Sequence, residues 1–466
     1  MTRPSRLALG ALALLAFGLR AFPLLGARGA WSAPVDYDEG VYFSAASYLL
    51  QGVLPWRDFV FVHPPGAILF LAATSAWTGP LLGVAKAFSL ARWVAVVLGV
   101  LNTLLVANVL RRWDGALALL GAAFYATYPE LVQVERGPFL EPLLNAVCLA
   151  MVWALVQERP RWTLAAGALA GLAIGIKLWA VVWLVGGAWA AASQRQLARF
   201  ALGALGATLV VFTPFVLAAP SAFFEQVVLF HAWRPPDGLT ERLPRLEQIV
   251  SVRHLASPLL AALTVALLVR TRRWNTLTRV GVVAWALTLA GFFASAAYWN
   301  QYNAHLAASE ALVAAGALSW LPPRARLPLL AACLVSLGMS VSHAIRRSRP
   351  PADPTHLVLA DSPLASSREC VFTFEPGWAL AANRLPPRET GPLIDSYAAQ
   401  LLGAVRGGKR FASAVDAFAS QPEPPPALAG CEWLVAGERG ARQLSLELLA
   451  RSHVETAPGL WKRRQP

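Results

Sequence analysis

Apolar runs alternate with short arginine clusters along three quarters of this 466-residue chain, and that alternation leaves few folds open to it. A bilayer-spanning helix takes about 20 apolar residues. Runs of that kind, several of them short, lie near 5–26, 84–110, 115–129, 138–157, 162–176, 178–193, 197–219, 254–270, 280–298, 303–321 and 327–345. Between them stand Arg3 and Arg6, Arg111 and Arg112, Arg159 and Arg161, Arg195 and Arg199, Arg270 to Arg279, and Arg324 and Arg326. Loops held in the cytoplasm are enriched in Lys and Arg, and eleven spans with a cytoplasmic start put every cluster on that side. A single helix over 162–193 would reverse all the later clusters, so a tight pair is expected there. Residues 1–26 look like a signal peptide, but Arg20 interrupts the run and many spans follow, which favours a retained helix. Composition agrees: 14% of the residues are charged and 56% hydrophobic, against about 25% charged in soluble domains. A soluble enzyme and a disordered chain are both excluded.

The expected architecture is a polytopic α-helical membrane protein with about 11 transmembrane helices over 1–349, followed by a small soluble α/β domain over 350–466 on the extracytoplasmic side. In that tail, Val371 to Phe374 and Trp433 to Ala436 have the pattern of buried strands, and Leu460 to Lys462 that of a last edge strand. Outside also lie the loop 27–83, with two expected helices at 39–50 and 64–77, and the loop 220–253. The net charge of +14 follows from topology and not from a nucleic-acid partner, since no basic groove with stacking aromatics accompanies it. The setting is the cell (inner) membrane, crossed many times. Cys370 and Cys431 would be bridged if the tail faces an oxidising compartment. Cys148 and Cys333 lie in apolar runs as small core residues.

The densest chemistry is Asp36-Tyr37-Asp38-Glu39-Gly40, followed by Tyr42, Arg57-Asp58 and His63-Pro64-Pro65-Gly66. Acids favour the start of a helix, but that alone accounts for one or two of them. Lysine is scarce: Lys86 and Lys177 are the lysines of the membrane body, both at outer helix ends, with Arg92 further along the helix of Lys86. A cation there calls for an anion, so Lys86, Arg92 and Lys177 are candidates for binding a phosphate. Glu141, one turn into a span, either pairs with Arg136 or belongs to the active site. His231 and Arg234 in the second loop are weaker candidates, and His305 with Glu310 points more to helix packing than to a proton relay. The acids as a group (Asp36, Asp38, Glu39, Asp58, Glu130, Glu135, Glu141, Glu225, Asp237, Glu241, Glu247) fall on the outer side, and an outward acidic site is the simplest reason for it. Walker, HExxH and Gly-x-Ser-x-Gly motifs are absent.

Asp38-Glu39, the stretch Gly52-Val53-Leu54-Pro55-Trp56-Arg57-Asp58-Phe59, His63-Pro64-Pro65-Gly66, Arg92 and Lys177 together resemble the GT-C superfamily of membrane glycosyltransferases, of the family 39 type that includes protein mannosyltransferases and aminoarabinose transferases. The resemblance implies the GT-C fold over about 1–345, a polyprenyl-phosphate-linked sugar as donor, a lipid, glycan or protein acceptor, and inverting transfer among membrane lipids. It implies Asp38 as the base, Glu39 beside it, Glu141 as a second acid, and Lys86, Arg92 and Lys177 on the departing phosphate. Asp36 departs from the pattern as a third acid and a second candidate for the base. No cofactor is required, although some relatives use a divalent cation, for which Asp36, Asp38 and His63 have the right donors. The rival reading is a transporter or flippase for a lipid-linked or anionic substrate. Such proteins place ionisable groups near the midplane in two related halves, whereas here the acids cluster in a terminal loop.

Overall fold

In a computed structural model the described residues are 4–25, 36–251, 254–320, 323–347, 370–387, 394–420, 431–436, 446–457 and 459–464. α1 (Arg6–Leu25) is followed by two helices of the first loop, α2 (Tyr37–Leu49) and α3 (Gly66–Thr74). Then come α4 (Val84–Leu110), α5 (Gly115–Thr127), α6 (Pro129–Val134), α7 (Leu140–Leu155), α8 (Pro160–Ile176), α9 (Val181–Ser193) and α10 (Leu197–Ala218). After the second loop run α11 (Arg242–Ile249), α12 (Ala256–Thr271), α13 (Thr276–Ala294), α14 (Asn303–Trp320) and α15 (Pro323–Arg347). Each of the eleven expected apolar segments is therefore helical. Among the described residues α1, α4, α10 and α13 are long and apolar enough to cross a membrane by length and composition, and α5, α7, α8, α9 and α12 are shorter apolar helices. The pair expected within 162–193 forms because Lys177 adopts extended backbone (φ −153°, ψ 130°) and stops α8 before α9 begins.

The chain divides into two compact units. One holds Met1–Gly26, Ala95–Phe212 and Gly238–Arg349; the other holds Ala27–Val94, Thr213–Asp237 and Pro350–Pro466. This differs from a cut at 349/350, because the tail buries apolar surface against both outer loops: Val62 and Phe230 share a core with Leu401, Leu402 and Val405.

In the first unit α8 and α10 pack backbone to backbone. A Cβ at Gly167 or Gly171 would run into the carbonyls of Phe200 and Ala204, and one at Gly203 into that of Leu164. Small residues at such a spacing are how helices approach closely in lipid, where burial alone gives no drive. Leu202, Leu205 and Val210 on α10 are exposed, as lipid-facing side chains would be. Arg20, buried in α1, donates from Nε and Nη2 to Glu135 Oε2 at 2.8 and 2.5 Å. Its Nη1 reaches the carbonyls of Ala16 and Ala126. Asn102 and Tyr125 donate to the other oxygen of Glu135. Both charges are thus fully hydrogen-bonded, the condition under which a buried ion pair is tolerated.

In the second unit the tail contributes α16 (Pro376–Ala381), α17 (Ser396–Val405) and a four-stranded sheet of β1 (Val371–Thr373), β2 (Trp433–Val435), β3 (His453–Ala457) and β4 (Leu460–Arg463). The sheet order is β1-β2-β4-β3. β1 and β2 are parallel, with Phe372 opposite Leu434; β4 runs antiparallel to both β2 and β3. The Leu460 to Lys462 segment is therefore interior, not the edge. The chain turns back near Gly459 (φ 73°), and β3, whose Val454, Glu455 and Thr456 are exposed, becomes the edge instead. Phe372, Phe374, Leu434, Leu449 and Trp461 form one face of the core. Cys370 and Cys431, at the starts of β1 and β2, are joined in a disulfide, and Trp433 N–H donates to the Cys370 carbonyl.

Closing a loop of 61 residues removes denatured-state entropy equivalent to about 4 kcal/mol in the chain-entropy model. A Cys370→Ala/Cys431→Ala variant should lose its tail to limited proteolysis under conditions where the oxidised wild type keeps it, and equal protease resistance would show that the bridge contributes nothing.

Candidate active site

The acidic run opens α2, and its residues divide the work of a helix start. Asp36 is the N-cap, in extended backbone, accepting from Asp38 N–H, while Glu39 at the third helical position reaches back to the Asp36 N–H. This reciprocal arrangement is a capping box. Its Asp-x-x-Glu spacing stands in the sequence, so the signal was there to be read. Glu39 is fully buried and takes two bonds from Arg92 of α4, from Nε at 3.2 Å and from Nη2 at 2.6 Å. One turn along each helix, Phe43 and Phe88 stack at 5.3 Å, and Arg92 lies 4.6 Å over the Phe88 ring. Glu39 is thus an anchor, and Arg92 is its counter-ion. Asp38, between the cap and the anchor, is half-buried.

Tyr42, one turn beyond Asp38, shares a hydrogen bond with His63 Nε2 at 3.1 Å. The His63 ring lies 6.0 Å from that of His231, whose Nε2 is 2.9 Å from the Val62 carbonyl. Arg234 pairs with Asp237 at 2.6 Å, and Tyr397 of the tail donates to the same carboxylate. The loops 27–83 and 220–253 therefore meet in this unit through His63, Val62 and His231, with Tyr42 on His63. Arg57 and Asp58 have a different place. They pair with each other, and Asp58 accepts from Leu54 N–H, closing the turn that carries Trp56. Hydrogen bonding from Arg57 holds the Asp58 carboxyl below its usual range.

Gln226 escaped the sequence reading, and Trp56 entered it only as one residue of the stretch 52–59. Trp56 has a positive φ of 65° and is buried against Phe61, Phe215 and Phe223. Gln226 accepts from Phe61 N–H and donates to the Trp56 carbonyl, pinning the first loop to the second. A glutamine in an apolar stretch gives no sequence signal of this kind.

The three candidate cations have different surroundings. Lys86, in the first turn of α4, is exposed. Arg92 is held by Glu39. Lys177 belongs to the other unit, where it pairs with Glu141 at 2.6 Å and lies 4.8 Å over the Tyr302 ring. The partner of Glu141 is therefore Lys177 and not Arg136, which donates to the Leu19 carbonyl of α1. The reason is the break at residue 177, which frees the lysine to turn toward α7. Glu310 bonds Ser257 and Trp285 instead of His305, a packing role for that buried acid. Among the described residues no three His, Cys, Asp or Glu side chains stand together as a group that could hold a metal ion.

A model of glycosyltransferase family 87 matches residues 61–241. ArnT from Cupriavidus metallidurans in the apo state superposes with a TM-score of 0.60 at 15% identity, over 82% of this chain and 84% of that one. The same protein bound to undecaprenyl phosphate gives 0.53 at 16%, over 86% and 70%. The Archaeoglobus fulgidus oligosaccharyltransferase tethered to an acceptor peptide gives 0.60 at 11%, over 98% and 74%. No curated protein matches the sequence. The chain has the GT-C fold. At these identities the likeness is one of fold, and the family model that matches is 87, where the first-loop motifs resemble family 39.

A buried acid stripped of its cation is costly: breaking such a pair typically destabilises by about 3–5 kcal/mol. Arg92→Met should therefore lower the thermal unfolding midpoint in detergent strongly. Adding Glu39→Gln to it should restore part of the loss, and a double variant no better than Arg92→Met would remove the ion pair as the cause.

Proposed function

We propose that this chain is a membrane glycosyltransferase that moves a sugar from a polyprenyl-phosphate donor to a lipid, glycan or protein acceptor at the outer face of the membrane, with inversion. The observation that carries the reading is the division of the acidic run. Asp36 caps α2, Glu39 is bound to Arg92, and half-buried Asp38 shares its face of α2 with Tyr42, which bonds His63; on that placement Asp38 is assigned as the base. The fold adds support, since a protein that shares it binds undecaprenyl phosphate.

The reaction balances with one carboxylate. Asp38 takes the proton from the acceptor hydroxyl or amine. The acceptor atom bonds to the anomeric carbon as the bond from that carbon to the phosphate oxygen breaks, and the lipid phosphate leaves with the electron pair. A single displacement inverts the centre, and the paired acids of glycoside hydrolysis are not needed. Charge on the leaving phosphate calls for preorganised donors. Lys86, exposed in the first turn of α4, offers a cation for it. Glu39 and Arg92 then act as a support that fixes the base and not as reacting groups.

Transfer of label from a radiolabelled polyprenyl-phosphate sugar, measured in membranes, tests this. Wild type should transfer, and Asp38→Asn should fall by about a hundredfold or more, the size of a lost general base. Equal transfer in both would take Asp38 out of the mechanism.

A further inference from the structure

Successive residues of a helix point about 100° apart, so Tyr37, Asp38 and Glu39 leave α2 in three directions. Glu39 goes to Arg92 of α4. Asp38 shares its face with Tyr42, which meets His63. Tyr37 goes to the tail. Its hydroxyl donates to Asp395 Oδ1 at 2.9 Å and accepts from Tyr397 N–H at 3.2 Å. Asp395 is itself the N-cap of α17, using the same oxygen for Ala398 N–H. The face continues along α2. A Cβ at Gly40 would collide with the backbone of Gly377 at the start of α16, so only glycine lets the two helices touch there. Tyr48, two turns on, donates to the Pro386 carbonyl.

The tail also holds the helix of Arg92. The first N–H groups of a helix lack intrahelical partners, and in α4 the Ala85 N–H is met by Asn383 Oδ1 at 3.2 Å, from 298 residues away. Asn383 ends α16 in left-handed backbone (φ 60°). Its N–H bonds the Leu380 carbonyl, and the next N–H, of Arg384, bonds that of Ala379. This is a Schellman ending, where glycine is the usual residue and asparagine the alternative. Glycine would serve the turn as well, but only a side chain with an acceptor reaches α4.

We infer that residues 376–387 and 394–397 of the tail are a positioning element of the active site: Asp395, through Tyr37, holds the helix of Asp38, and Asn383 holds the helix of Arg92, so that the tail sets the placement of the base. The inference rests on the transferase reading above. The tail is then a working part of the catalytic unit and not an appended domain. The bonded residues act through Asp38 and touch no substrate.

The transfer assay in membranes, with purified full-length variants checked for unfolding midpoint, tests it. Tyr37→Phe and Asn383→Gly should each lower kcat by about tenfold or more, since small misplacements of a catalytic group are amplified in rate, with KM for the donor nearly unchanged. Asn383→Asp, which keeps the acceptor, should retain most of the rate. In the Asp38→Asn background Tyr37→Phe should cause no further loss, because residues acting through one group are not additive. Loss in Asp38→Asn with full kcat in Tyr37→Phe and Asn383→Gly would overturn the tail's role alone. So would a full additive loss in the double variant, which would mark the contacts as merely structural. A wild type that transfers nothing, or an Asp38→Asn that transfers normally, would overturn the reading beneath it instead.

Discussion

The buried pair of Glu39 and Arg92 fixes what the rest of the candidate site can be. Both side chains are at most 1% exposed, and neither charge survives such burial without the other. The two bonds between them, with Phe43 on Phe88 one turn along, leave α2 little freedom to rotate or slide on α4. Everything else follows from that constraint. With residue 39 directed at α4, helical geometry sends residue 38 toward the His63 loop and residue 37 toward the tail. The carboxylate proposed as the base is placed by the one beside it.

A helix start that carries charge and function at once has to satisfy its own backbone first. Asp36 and Glu39 do so as a capping box, and an acid at the second helical position is favoured by the helix dipole whatever else it does. The local sequence therefore serves folding and chemistry with the same residues. It also explains why three carboxylates can stand within four positions without mutual repulsion dominating: Asp36 is bonded to backbone, Glu39 to an arginine, and Asp38 lies on the face that Tyr42 shares.

The helical segments were legible because lipid enforces long apolar runs, and the existence of a break between α8 and α9 was expected from the arginines. Asp38, Glu39, His63 and Arg92 stood out as residue types in a pattern. Their pairings were not. Sequence separation hides that Glu39 meets Arg92, that Glu141 meets Lys177 and not the nearer Arg136, and that Asn383 caps a helix 298 positions earlier. The sheet order was missed for a related reason. Leu460 to Lys462 looks like an edge because it comes last, but chain order does not set sheet order once β3 folds back outside it.

The acids expected on the outer side take on a different meaning in the structure. From the sequence they suggested one acidic, outward site. In the folded chain most of these acids have individual partners: Glu135 with Arg20, Glu39 with Arg92, Glu141 with Lys177, Asp58 with Arg57, Glu225 with Arg406, Asp237 with Arg234. Their number thus reflects the bonding of helix ends and loops more than the needs of catalysis. Cytoplasmic loops rich in arginine need no such partners, because water and anionic headgroups meet them. Among the basic residues drawn into the protein, Arg20 and Arg92 meet carboxylates, while Arg245 and Arg136 meet backbone carbonyls. Ion pairing therefore accounts for the burial of Glu39, Glu135 and Glu141, each of which ties its own helix end to a distant segment of the chain.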